Sequence, residues 1–177
     1  GYRPNGIYIP RFRNLSGDEG LGFLRGYGYQ GGAGRIGWGE RIKKPGFGAD
    51  FKRELRIPGP WYMSLGGFGE ILPYAENTMR LHPKKRDRFG IPQVTFRFEF
   101  GENERRHRED LVEQGVTMLE AAGASQIQSY NEEMIGGAAI HEMGTARMGQ
   151  DPRESVVNEH NQVHAADNVF VTDGACM

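Results

Sequence analysis

The chain has 177 residues, enough for one domain of ordinary size, and its 37% hydrophobic, 11% aromatic and 25% charged residues exclude general disorder. Twenty-two lysines and arginines face 23 aspartates and glutamates, a formal charge of -1, so no global field exists to hold nucleic acid or an anionic membrane, and a nucleic-acid module would need strong local evidence. No run approaches the ~20 apolar residues of a membrane span.

The opening Gly1-Tyr2-Arg3-Pro4 has neither an apolar signal core nor an initiating Met, so the chain reads as soluble and as a fragment. Its single cysteine, Cys176, excludes an internal disulfide and an all-cysteine zinc site and leaves the compartment undetermined. Glycine is the outlier, 27 of 177 residues, roughly twice the usual ~7%. Many tight turns or close backbone approaches follow.

In chain order, Ile7 to Phe12 alternates like a short edge strand punctuated by Pro4 and Pro10. Phe23 to Gly39 is glycine-dominated and predicts loop and extended backbone without helix. An amphipathic turn around Phe47 to Leu55 precedes the break at Pro58-Gly59-Pro60 and a strand over Trp61 to Phe68. Met79 to Pro83 and Pro92 to Phe100 are extended segments around the charged turn Lys84 to Gly90. In the second, Val94, Phe96, Phe98 and Phe100 share one face, the period of a half-buried strand. Asn103 can cap a helix running to about Ala122, with Leu111, Val112, Gly115, Val116, Leu119 and Ala122 as its apolar stripe and Gly123 as its stop. Val169-Phe170-Val171 predicts a buried strand ending at Asp173-Gly174, an arrangement that delivers polar groups to a ligand.

Several motifs fail on context. Gly26-x-Gly28-x-x-Gly31 fits the dinucleotide pattern, but the glycine-rich residues after it cannot open the helix whose N-terminus would hold a pyrophosphate. His141-Glu142 lacks the second histidine of a helical zinc site, because position 145 is Thr145. His160 and His164 stand four apart among turn residues and read as solvated. Arg105, Arg106, His107 and Arg108 alternate with acids and read as a solvated, salt-bridged face, and Lys84 to Arg88 as a hairpin tip kept soluble. No metal ligand set is expected. His141, flanked by Gly136-Gly137, Gly144 and Gly149, is the candidate for catalysis.

His141-x-x-Gly144-Thr145-x-Arg147-Met148-Gly149-x-Asp151-Pro152, then Ser155-Val156-Val157-Asn158, then Asn168 to Ala175, resembles the C-terminal signature of the glucose-methanol-choline (GMC) flavin oxidoreductases. Asp87-Arg88-Phe89-Gly90-Ile91-Pro92 resembles the substrate-domain hairpin of that family's bacterial sugar dehydrogenases and pyranose oxidases. The resemblance covers most of Pro58 to Met177.

It implies an α+β chain. Residues 1–140 would supply most of a substrate-binding domain, an antiparallel sheet with a covering helix, and 141–177 would return to an FAD-binding α/β domain whose remainder is absent. His141 matches the family's active-site histidine, and Asp173, Gly174 and Ala175 match the strand end against FAD. A second catalytic residue, His or Asn, is expected a little beyond Met177. The implied activity is oxidation of a sugar or polyol hydroxyl. The alternatives are a non-sugar alcohol as substrate, or a catalytically silent carbohydrate-binding or scaffold domain. The electron acceptor, whether oxygen, quinone or a cytochrome c subunit, is left open, as is a small accessory subunit. The resemblance favours the periplasm or cell envelope.

Overall fold

The computed structural model describes residues 6–15 and 20–177. The reading of Gly1 to Pro4 lies outside them. The chain is mixed α/β with antiparallel sheets, in two compact units: the stretch up to Ile71 together with Glu102–Asn131, and Leu72–Gly101 together with Glu132–Met177.

In the first unit β1 (Ile7–Ile9), β2 (Tyr27–Arg35) and β3 (Trp61–Gly69) form an antiparallel sheet in that order. The glycine-rich segment is therefore extended, as expected, and lies inside a strand paired from Tyr27 with Gly69 to Arg35 with Trp61. A pyrophosphate-binding turn into a helix does not form at Gly26 to Gly31. Two short helices, α1 (Trp38–Arg41) and α2 (Gly48–Arg56), connect β2 to β3. α1 takes up Trp38 and Gly39, where no helix was expected.

Helix α3 (Glu102–Ala121) ends at Gly123, whose φ of 83° is the left-handed geometry a helix stop requires. Asn103 is not its cap. The helix has already begun at Glu102, and the Asn103 side chain instead accepts from the Leu24 N–H at 2.6 Å. Leu111 and Gly115 of the expected stripe do lie on the packed face, but Glu104, His107 and Met118 join them there, while Val112, Val116 and Leu119 are only half-buried and Ala122 is exposed. This face keeps the 3.6-residue period but starts a turn earlier. It does so because β3 is glycine-rich there: side chains at Gly67 and Gly69 would occupy the space of Leu111 and of the His107 ring.

His107 is thus a core residue, set edge-on to Phe23 and Tyr27 at 5.2 and 5.1 Å, and not part of a solvated face. Arg106 does pair with Glu102, at 2.8 Å. Phe23, Tyr27 and Tyr29 form the buried centre, surrounded by Ile9, Phe12, Leu21, Leu65, Leu111 and Met118. Both phenols find acceptors, as buried hydroxyls must: Tyr27 donates to Asp110 and Tyr29 to the Leu111 carbonyl at 2.5 Å. Asp110 also accepts two bonds from the Arg13 guanidinium, each 3.0 Å.

The second unit holds the hairpin β4 (Thr78–Arg86) and β5 (Pro92–Arg97), with Met79 opposite Phe96 and Leu81 opposite Val94. Of the expected half-buried face, Phe98 and Phe100 are half-buried with their rings 4.9 Å apart, just past the end of β5, whereas Val94 and Phe96, 47% and 58% exposed, lie on one arm of a two-stranded ribbon. The Val169 to Val171 strand is also corrected. Phe170 makes a single antiparallel bridge to Gln162, and Val169 and Phe170 stay exposed because no sheet flanks them among the described residues.

Candidate active site

The residues singled out near the C-terminus are assembled by backbone bonds. The segment from Gly144 to Met148 lies along a 3₁₀ turn, Gly174–Cys176. Three N–H groups, of Gly144, Ala146 and Met148, donate to the carbonyls of Gly174, Ala175 and Cys176 at 3.3, 2.8 and 3.0 Å. Alternate residues of one segment meet successive residues of the other, so the pairing fixes a register. At its leading end a side chain on Gly174 would touch Met143 Cγ at 3.3 Å and the Glu142 carbonyl at 3.6 Å. His141 is thereby brought one residue from the chain that touches Gly174, with its imidazole exposed.

Asp173 caps the turn. Its Oδ1 accepts the Ala175 N–H at 2.9 Å and its carbonyl accepts the Cys176 thiol at 3.0 Å. The cap uses the N–H a phosphate would need, and a carboxylate repels that charge. The exposed carboxylate suits hydroxyl donors.

The other end of the ladder is locked by side chains. Gly149 N–H donates to the Val157 carbonyl at 2.9 Å, and Val157 is fully buried. The Gly149 carbonyl lies 3.2 Å from His164 Nε2, which is 2.9 Å from Ser155 Oγ. A carbonyl only accepts, so Nε2 carries the proton. Ser155 Oγ in turn donates to the Asp151 carbonyl at 2.7 Å. The hydroxyl therefore faces a donor, not a base, and this serine and histidine form a clamp and not a nucleophilic pair.

His164 is accordingly not the solvated histidine expected, whereas His160 is exposed beside Glu159. Nearby, the Arg153 guanidinium holds the Asp151 carboxyl below its usual range through direct hydrogen bonds. Sequence reasoning missed the clamp because its partners are nine and fifteen residues from His164. The signal was the close spacing of Gly149, Asp151 and Ser155 before a histidine.

The family model described as GMC oxidoreductase matches residues 73–177. The chain belongs to the GMC oxidoreductases. Among curated relatives it is similar to a 2-methyl-1,2-propanediol dehydrogenase of Mycolicibacterium austroafricanum, 34% identical over 62% of this chain and 20% of that protein. It is also similar to a paromamine 6'-oxidase of Streptomyces fradiae (32%, over 59% of this chain and 19% of the relative) and to the fructose dehydrogenase large subunit of Gluconobacter japonicus (28%, over 61% and 19%). The chain spans about a fifth of the length of these relatives. Two of these are named as dehydrogenases and one as an oxidase, and the GMC family is FAD-binding.

Proposed function

We propose that the protein containing this chain oxidises a hydroxyl of a sugar or polyol, with His141 as the proton acceptor and FAD as the hydride acceptor. The observation that carries the reading is the three-rung ladder, which brings the His141 segment and the Asp173–Ala175 turn into one fixed arrangement. FAD, when bound, supplies the electron sink.

The chain's own residues do the rest. The exposed imidazole of His141 takes the hydroxyl proton as the alcohol carbon gives up its hydride and the C–O bond becomes C=O, a task suited to a ring nitrogen that can accept a proton. Asp173, with Oδ1 engaged by Ala175 N–H, offers its carboxylate to hydroxyl groups of the ribityl type and not to a phosphate. Gly174 and Ala175 contribute close-packed backbone at the same turn. On this reading residues 1–140 serve the substrate and 141–177 belong with the FAD-binding domain, with a further His or Asn acting beyond Met177.

A non-sugar alcohol is a second reading, supported by the name of the propanediol dehydrogenase relative. The test is His141→Ala in the full-length protein. Flavin should be retained while its reduction by substrate slows ~10²- to 10⁴-fold. Reduction at near wild-type rate would refute His141 as the base. Sugars and polyols that never reduce the flavin, where simple diols do, would transfer the assignment to the second reading. A flavin reduced by neither class of alcohol would leave a silent carbohydrate-binding or scaffold role.

A further inference from the structure

The turn between β4 and β5 is more than a soluble loop. Three cations at the end of β4, Lys84, Lys85 and Arg86, and Arg88 in the turn accompany one carboxylate, Asp87. None of Lys84, Lys85, Arg86 and Arg88 forms an ion pair among the described residues. The one acid is committed to the backbone: Asp87 Oδ1 accepts the Phe89 and Ile91 N–H groups at 2.8 and 2.9 Å. Asp87 N–H meets the Ile91 carbonyl at 2.9 Å, and Arg86 Nη1 bonds the Gly90 carbonyl at 2.8 Å. Gly90, at φ 81°, makes the reversal.

The result is a fixed turn whose apex carries Phe89 and Ile91, 71% and 60% exposed. Arg88 lies over the Phe89 ring at 4.6 Å. Two exposed apolar side chains thus sit beside cations that form no ion pair among the described residues.

We infer that this turn docks on an anionic phospholipid bilayer, with Phe89 and Ile91 entering the interfacial layer and Lys84, Lys85 and Arg88 lying among the phosphates. Aromatic side chains favour that layer, and cations near an anionic leaflet add their attraction side by side. Two apolar side chains and a few flexible cations are too small a footprint for a stable protein interface, which takes ~800 Å² from each partner. A bilayer sets no such minimum. The inference stands independently of the oxidoreductase reading.

The experiment is cosedimentation of the full-length protein with vesicles of phosphatidylcholine alone or of an equimolar mixture with phosphatidylserine. Binding to the mixed vesicles only is expected, weakening as salt rises. K84E/K85E should lower the partition on the order of 10²-fold, and F89S roughly 10-fold. The milder K84Q/K85Q, checked by circular dichroism, covers the case in which charge reversal disturbs the ribbon. Equal binding to both vesicle types, or unchanged binding of a folded charge variant, overturns the proposal. Binding to soluble polyglutamate without binding to the mixed vesicles also overturns it and assigns the turn to an acidic protein.

Discussion

The aromatic interior of the first unit and the C-terminal segment of the second are held by different forces. Tyr27 and Tyr29, each 1% exposed, stack among Phe12, Phe23 and His107 and send their hydroxyls to Asp110 and a helix carbonyl. Past Asn131 only Val157 and Cys176 are buried among the described residues, and the segment is ordered by main-chain bonds from Gly144 to Gly149 and one side-chain clamp. In the first region side-chain identity is stability. In the second, exposed side chains such as His141 can be exchanged with little effect on the scaffold that positions them.

The sharpest way to break this contrast is His141→Ala, measured twice. Flavin reduction in the full-length protein should fall ~10²- to 10⁴-fold. Chemical denaturation of the 177-residue chain should change by less than ~0.5 kcal/mol, the usual range for an exposed site. A large stability loss would mean that the imidazole is part of the scaffold after all.

Asp110→Ala is the converse. It strands the Arg13 guanidinium and the Tyr27 hydroxyl together, both partly or wholly buried. Leaving such groups without an acceptor should cost ~2 to 4 kcal/mol in a urea melt. A loss below ~1 kcal/mol would show that this network is wetter than the packing indicates.

How much of this could be read from the sequence depends on the range of the interactions. Helix α3, its stop at Gly123, the extended Tyr27–Arg35 segment and the β4–β5 turn rest on local periodicity and glycine chemistry, and were legible. His107 was not. Its neighbours in sequence are charged, and its burial is decided by Gly69 and Tyr27, far away along the chain. Asn103 looked like a cap because the residue type is right, yet Leu24 competes for its side chain. Phe96 and Val169 carry strand patterns whose expected covering layers do not form among the described residues. At the site, the motif brought His141 and Asp173 to notice, while the ladder that joins them uses backbone groups every residue has.

The interior should also register as an alkaline transition. Burial, as the leading cause, pushes the Tyr29 phenol up to about 12 from 10.0, and pushes Tyr27 in the same direction with Asp110 adding to it. The unfolded chain loses these protons first, so the native state binds more protons above pH ~10 and stability must fall as pH rises from there through about 12. Tyr29's share is on the order of 2 kcal/mol, present in full below pH ~10. Tyr29→Phe should lower stability at neutral pH by losing its bond to Leu111, yet decline less steeply between pH ~10 and 12. Parallel curves for variant and wild type would count against buried phenols as the cause.

The smallest effect concerns the one place where the C-terminal segment relies on side chains. His164→Ala removes the donor shared by the Gly149 carbonyl and Ser155 Oγ, a half-buried pair of bonds, and should cost ~1 to 2 kcal/mol. His160→Ala, on an exposed turn, should stay within ~0.5 kcal/mol. His164→Gln can place an N–H donor near the position of Nε2 but has no aromatic ring, so recovery of about half the loss would attribute the effect to the hydrogen bond and not to packing. Hydrogen exchange at the Gly149 and Met148 amides gives the local reading, because Met148 is the last rung of the ladder and the Gly149 N–H, bonded to the Val157 carbonyl, adjoins it. Faster exchange there in His164→Ala, with Tyr29 amide exchange unchanged, would place the damage in the backbone ladder alone. Equal acceleration at both would mean that the two regions unfold as one and that the contrast drawn between them does not hold.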